Sequence, residues 1–276
     1  MLQTSAPVCG VSPVSMPGAL QPVTVLRHRY DSLHSCQDEV AEEYPVALVY
    51  NGISHAVMMV TPCDLEEFAI GFTLSEGIVS SRGEIHDLEV LFHADAAEVQ
   101  LTIAQAAFIQ LKEHRRTLAG RTGCGVCGTE SLQLLDLAPE KVDVTQAVEP
   151  DHHLIQRILA TLPQHQPLMA ATGCAHAAAW CTAAGDIVRV FEDVGRHNAM
   201  DKLLGWMALQ DIEPNLGLVF LTSRASYELV RKAARRNIPV LATISAPTSL
   251  AICIARAAGI RLLSFCRPNG FVEYPD

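Results

Sequence analysis

Residues 216–265 read LGLVFLTSRASYELVRKAARRNIPVLATISAPTSLAICIARAAGIRLLSF, and this stretch sets the fold class. Leu216 to Leu221, Ile238 to Ile244 and Ile260 to Phe265 are short apolar runs bounded by turn formers, the pattern of buried strands. Between them, Ser226 to Arg236 and Thr248 to Ala258 read as helices that open on hydroxyl residues. Strand and helix therefore alternate as βαβαβ, which predicts a parallel sheet with helices packed on it. Just upstream, Ile187 to Phe191 reads as another short strand, followed by the loop Glu192-Asp193-Val194-Gly195 and a helix over His197 to Met207.

Parallel strands place their carboxyl ends on one edge, so the loops after them gather there and form the natural ligand crevice. Those loops are Thr222-Ser223-Arg224-Ala225-Ser226, Ser245-Ala246-Pro247-Thr248 and Cys266-Arg267-Pro268-Asn269-Gly270. Free N–H groups and the helix dipole at the two helix starts favour a phosphate, and Arg224 and Arg267 add bidentate charge. Taken singly, each loop is better explained by helix capping and solvated arginines. Three loops converging on one edge favour a phosphate or nucleotide ligand.

Further from this core the chain is less regular. Val46 to Tyr50 and Ser54 to Val60 flank Asn51-Gly52, a hairpin signature. Asp64 with Glu67 three positions on resembles a capping pair for a helix over Leu65 to Glu76, which Gly77 stops. Leu88 to Phe92 and Glu98 to Ile103 read as strands, and Ala106 to Leu118 as a helix with a weaker pattern. Residues 138–151 carry prolines and acids without a period, which makes them the candidate linker between two lobes. The expected organisation is a flexible tail over 1–26, an α+β lobe over 27–137, this linker, and an α/β ligand-binding lobe over 152–276.

Composition narrows the function classes. The 276 residues are 49% apolar and carry a formal charge of -10, which argues against broad binding to nucleic acid or acidic lipid. No secretory or transit signal is legible, and no run of eighteen apolar residues escapes a charge or turn former, so the expected place is the cytoplasm. Nine cysteines, odd in number and mostly isolated, do not form a disulfide framework. Cys9, Cys36, Cys181 and Cys253 are read as buried small hydrophobes.

Only Cys124 and Cys127 form a motif, inside Gly120-Arg121-Thr122-Gly123-Cys124-Gly125-Val126-Cys127-Gly128. Glycines expose both sulfurs, and Arg115, Arg116 and Arg121 favour a thiolate able to attack a sulfur donor and hold the extra atom as a persulfide. Three readings compete. A structural zinc site needs four ligands and would have to recruit Cys174, Cys63 or a histidine, so no metal site is assigned. A thioredoxin-like dithiol starts a helix, which these glycines disfavour. A sulfur carrier needs only the exposed thiols. Zinc deaminase chemistry requires His-x-Glu with Pro-Cys-x-x-Cys, and neither is present.

Taken together the motifs closely resemble the FdhD/NarQ family, the formate dehydrogenase accessory sulfurtransferases. The resemblance runs from Glu42-Glu43-Tyr44-Pro45 through Asn51-Gly52 and Thr61-Pro62-Cys63-Asp64-Leu65-Glu66-Glu67-Phe68 to the cysteine loop. It continues through Thr172-Gly173-Cys174-Ala175-His176, Glu192-Asp193-Val194-Gly195-Arg196-His197-Asn198 and Ser223-Arg224-Ala225-Ser226, and ends at Phe265-Cys266-Arg267-Pro268-Asn269-Gly270. Cys63, Cys174 and Ser223 stand where glycine is common in the family, and Cys174 is read as a buried small residue.

The resemblance implies a homodimer that takes sulfur from a cysteine desulfurase and passes it to molybdenum bis-molybdopterin guanine dinucleotide before insertion into formate dehydrogenase. It implies a larger lobe with a three-layer αβα fold similar to cytidine deaminases, without their metal. Carried over by residue, Cys124 bears the persulfide and Cys127 assists, while Phe265 to Gly270 contact the cofactor. Arg224, Ser245 and Thr248 would meet its phosphates, with His176 and His197 as further contacts. For the polar cluster Glu192 to Lys202 the competing reading is structural, with caps and ion pairs locking two loops together. A non-enzymatic cofactor chaperone with a structural cysteine pair is the alternative for the whole chain.

Overall fold

In a computed structural model, residues 18–30, 32–117 and 138–275 are described. The chain opens with a two-stranded ribbon of β1 (Leu20–Arg29) and β2 (Ser32–Ala41). The flexible tail expected to reach residue 26 therefore gives way to a strand at Leu20. Its even, unbulged cross-strand register supplies order that mixed polar and apolar residues did not announce.

β3 (Tyr44–Tyr50) and β4 (Ile53–Val60) form the expected hairpin, and Asn51 and Gly52 both take positive φ, 46° and 80°. The Asn51 side chain also accepts from the Ile103 N–H at 2.8 Å and donates to its carbonyl. α1 (Leu65–Ser75) follows. Asp64 is its N-cap residue but adopts a left-handed conformation and makes no capping bond, so the expected capping pair is not formed. Its carboxylate instead stands 3.8 Å from Arg189. β5 (Ile85–Phe92) and β6 (Ala97–Ile103) complete a sheet of order β4-β3-β6-β5 in which β3 and β6 run parallel. α2 (Gln105–Thr117) closes one end of its core through Ala107 and Phe108.

The segment 138–151 is irregular yet anchored. Val142 donates to the Ala258 carbonyl and packs into the larger core, and Glu140 pairs with Arg235. The sequence reading passed over what comes next: α3 (His152–Thr161), α4 (Pro167–Thr172) and β7 (His176–Thr182). β8 (Ile187–Asp193), α5 (Arg196–Leu209), β9 (Gly217–Leu221), α6 (Tyr227–Arg235), β10 (Val240–Thr243), α7 (Ser249–Ala258), β11 (Arg261–Arg267) and β12 (Gly270–Glu273) finish the chain.

The second sheet has the order β12-β11-β10-β9-β7-β8. β9, β10 and β11, the three strands of the βαβαβ stretch, are parallel as expected, and β7, β8 and β12 add antiparallel pairings on either side of them. The inner strands β7, β9, β10 and β11 are buried on both faces. Ala178, Trp180, Val219, Leu221, Leu241 and Leu262 face a core completed by α5, α6 and α7. The alternate residues Ala179, Cys181, Leu218, Phe220, Ala242 and Leu263 face a second core with Leu154, Ile155 and Ile158 of α3. Period-two alternation between two apolar cores explains why these strands read as unbroken hydrophobic runs, and gives the three-layer αβα arrangement.

Helix α5 belongs to both lobes. Its Ala208 and Leu209 pack on the core of the first sheet, while Met200, Leu203 and Leu204 pack on that of the second. Where α1 and α5 cross, a Cβ on Gly71 would lie 1.7 Å from the Asp201 carbonyl oxygen, and one on Gly205 would lie 1.8 Å from that of Glu67. Glycine is required at both positions because backbone touches backbone.

Candidate functional site

The site is built by topology. β7 runs antiparallel to β9, so its first residue, His176, stands on the edge where β9, β10 and β11 end. Asp193, the last residue of β8, lies opposite His176 in the register. The edge therefore collects His176, the turn into α5, and the loops 222–226, 244–248 and 265–270. α5, α6 and α7 all begin on it, so the positive ends of three helix dipoles share one rim.

Contacts between the loops hold the rim together. Ala225 and Pro247 form a parallel bridge, Thr248 donates to the Ala225 carbonyl, and Phe265 donates to that of Ser245 at 3.3 Å. Thr243 and Ser264 share a buried hydroxyl contact of 2.8 Å beneath them. Thr248 caps α7 by accepting from Ala251 at 3.2 Å, as a helix-opening hydroxyl should. Ser226 instead donates to Glu228.

Charge on this rim is positive. Arg224 and Arg267 are exposed, and Arg267 is braced by donating to the carbonyls of Ile244 and Cys266 at 2.6 and 2.8 Å. Burial lowers the pKa of the half-buried His176, and the positive charges of Arg196, His197 and Arg224 lower it further. A neutral imidazole surrounded by cations is therefore available to an anion, which would raise its affinity for a proton. His197 places its Nε2 2.9 Å from the Glu228 carboxylate.

The predicted residues divide accordingly. Arg224, Ser245, Thr248, His176, His197, Phe265, Arg267, Pro268, Asn269 and Gly270 all fall on this edge. Phe265 sits at φ 53° where β11 bulges, with its ring exposed. Cys266 does not belong with them: its side chain is fully buried in the core shared with α3, and burial pushes its thiol up to about 11. Strand alternation at the bulge turns Cys266 inward while Phe265 and Arg267 turn out. Cys124 and Cys127 lie outside the described residues.

The remaining cysteines correct two expectations. Cys174 is exposed, on the turn that leads into His176, and Cys253 is exposed on α7, so neither is a buried small hydrophobe. Cys181 is buried as expected, whereas Cys36 is half-buried. Among the described residues, no group of three His, Cys, Asp or Glu side chains is placed to hold a metal ion.

The polar cluster from Glu192 to Lys202 is largely structural. Asp193 and Lys202 form a fully buried pair at 2.7 Å. Asp193 also accepts from the Thr61, Gly195 and Asn198 nitrogens, while Lys202 donates to the Thr61 carbonyl, so the pair rivets the β4–α1 corner to the start of α5. Glu192 accepts from the first N–H groups of α4, Leu168 and Met169, both at 2.8 Å. A second buried network joins α1, α5 and α6: Lys232 lies 2.9 Å from both Asp201 oxygens, 2.8 Å from Ser75 and 2.7 Å from Glu76. Burial opposes the Lys232 charge, yet Asp201 and Glu76 together raise its pKa. Ser75 and Lys232 were not visible as partners in the sequence, being 157 positions apart.

Comparison with known proteins agrees with this reading of the fold. The model of the FdhD/NarQ family matches residues 41–276. Sulfur carrier protein FdhD of Chromobacterium violaceum is 62% identical over 253 residues, covering 91% of this chain and 94% of its own. The protein of the same name from Burkholderia cenocepacia is 58% identical over 93% of this chain and 94% of its own. A crystal structure of a proposed formate dehydrogenase accessory protein from Desulfotalea psychrophila superposes with a TM-score of 0.72 at 25% identity, covering 93% of this chain and 96% of that one.

Proposed function

The chain belongs to the FdhD/NarQ family, and from that premise we propose that it is a sulfur carrier serving formate dehydrogenase, with its client bound on the edge of the six-stranded sheet. The observation that carries the client site is the convergence of three helix N-termini with Arg196, Arg224, Arg267 and His176 on one rim of a chain whose net charge is -10. Such a rim suits a phosphorylated anion and little else on this surface. The client assigned to it is the guanine-dinucleotide form of the molybdenum cofactor, with its phosphates at the openings of α6 and α7 and the 265–270 loop beside it.

In the proposed reaction the Cys124 thiolate attacks the terminal sulfur of a cysteine desulfurase persulfide, and the donor cysteine leaves as a thiolate. The sulfur then rides on Cys124 until the bound client attacks it and Cys124 leaves as a thiolate, with Cys127 as relay or protecting thiol. This chemistry suits the cytoplasm, where free thiols persist. Among the described residues no helix is long and apolar enough to cross a membrane.

The test is intact-mass spectrometry after incubation with a cysteine desulfurase and cysteine. A gain of one sulfur mass, reversed by reductant and absent in Cys124→Ala, is expected. No gain in the unmodified chain would leave a cofactor chaperone with a structural cysteine pair as the better reading.

A further inference from the structure

Two ion pairs, one helical turn apart, tie α5 to α6. His197 and Asp201 share a face of α5, and Glu228 and Lys232 share a face of α6. The inner rung, Asp201–Lys232 at 2.9 Å, is buried and is tied in turn to Ser75 and Glu76 at the end of α1, so it already fixes the two helices against each other. The outer rung, His197–Glu228 at 2.9 Å, stands on the rim with side chains 23% and 19% exposed, where solvent screens it. It also puts a carboxylate in the first turn of α6, among groups gathered for an anion. A side chain that adds little to the helix pairing and opposes the charge of the ligand calls for another role.

Glu228 Oε2 has two partners on this rim. It lies 2.9 Å from His197 Nε2, and Ser226 Oγ donates to it at 3.3 Å. The His197 hydrogen bond holds the Glu228 carboxyl below the usual carboxylate range. An ionised carboxylate only accepts, so Nε2 is the donating nitrogen and Nδ1 is left to a ligand. A cavity of about 30 Å³ is lined by both rungs, so packing leaves the His197 ring room to turn and the hydrogen bond fixes it. Ser226 is the N-cap residue of α6 yet makes no capping bond, whereas Thr248 caps α7. The hydroxyl drawn to Glu228 is the one that would otherwise close the α6 N-terminus.

We propose that Glu228 is the positioning residue of this rim: it holds His197 by Nε2 and keeps Ser226 off the first turn of α6, so that the imidazole and the helix opening are both presented to a phosphorylated ligand. The inference rests on the reading of the rim as the client site. It gives Glu228 no contact with the ligand itself.

Calorimetric titration of the full chain with guanosine diphosphate tests this, because charge and position predict opposite signs. On charge alone, removing a carboxylate from an anion site tightens binding. Glu228→Ala should instead weaken it about tenfold, since the ligand must then order groups that Glu228 had held. Glu228→Asp keeps the charge and the helix but draws the carboxylate back from His197 and Ser226. It should weaken binding about threefold or more, where charge alone predicts no change. In a His197→Ala/Ser226→Ala background the same Glu228→Asp change should alter affinity by less than about twofold, a dependence that a merely structural role in α6 would not show. Unchanged or tighter binding in Glu228→Ala and Glu228→Asp would overturn the assignment, as would an undiminished loss in that background. Arg224→Ala separates the premise from the inference. If it weakens binding while both Glu228 variants do not, the positioning role alone falls. An unmodified chain that does not bind guanosine diphosphate, or binds it no better than Arg224→Ala, overturns the client site and this inference together.

Discussion

Replacing Gly71 by alanine places a methyl carbon 1.7 Å from the Asp201 carbonyl oxygen, and replacing Gly205 places one 1.8 Å from that of Glu67. Both neighbours are backbone, so no side chain can swing aside. Restoring a van der Waals separation of about 3.4 Å moves α1 and α5 apart by roughly 1.6 Å, a distance over which packing attraction is largely lost. The same displacement stretches the Ser75–Asp201 hydrogen bond, now 2.6 Å, beyond bonding range and loosens the buried Lys232 network. Overpacking alone costs about 1–3 kcal/mol, and a weakened buried hydrogen bond to a charged group adds about 1.5–3 kcal/mol. We expect Gly71→Ala to lose about 3–5 kcal/mol in urea denaturation, with Gly71→Ala/Gly205→Ala losing less than the sum because both changes open one interface. A loss below about 1 kcal/mol in either single variant would show that the crossing tolerates separation and that the glycines are incidental.

Other perturbations test the remaining features. Lys202→Met leaves the Asp193 carboxylate buried without its cation and should cost about 3–5 kcal/mol by the same denaturation assay. Glu76 is held down to about 2 from its ordinary 4.5 because Lys232 and Arg231 outweigh the cost of burial. A depressed folded-state pKa means stability that is full above pH 4.5 and lost as pH falls through about 2, at most about 3 kcal/mol. The stability gap between the unmodified chain and Glu76→Gln should therefore shrink on acidification. Arg224→Ala should weaken guanosine diphosphate binding about 10–100-fold by calorimetry and flatten its salt dependence, because a charge-assisted hydrogen bond of about 1.5–3 kcal/mol is removed. Cys266→Ala should leave that affinity within about twofold, since its thiol faces the core.

The βαβαβ core was legible because each of its strands is buried twice over, so that Leu218 to Leu221 shows no polar interruption. The same double burial concealed β7, whose Ala177-Ala178-Ala179 run lacks the branched residues that mark a strand and whose place is fixed by pairing with β8 and β9. Leu154, Ile155 and Ile158 do carry helical spacing, and Asp151 caps α3 by accepting from Leu154, but the preceding irregular segment drew the boundary past them. The gathering of the loops on one edge was reachable from strand order alone. What the chain could not disclose by itself was side-chain direction at a bulge, which sends Cys266 inward, and the pairing of residues more than a hundred positions apart, which turns the Asp193 to Lys202 cluster into a joint between lobes.

That joint also has a consequence for synthesis. The core of the first sheet is finished by Ala208 and Leu209, and α1 meets its close neighbour only when α5 exists. Between Ser75 and Leu209 about 130 residues must be translated, which takes roughly 7–26 s at about 5–20 residues per second. For that interval the nascent chain presents an unfinished apolar surface and a helix whose glycine face has nothing against it. A ribosome-bound chaperone should engage this polypeptide after α1 has emerged and release it once α5 clears the exit tunnel.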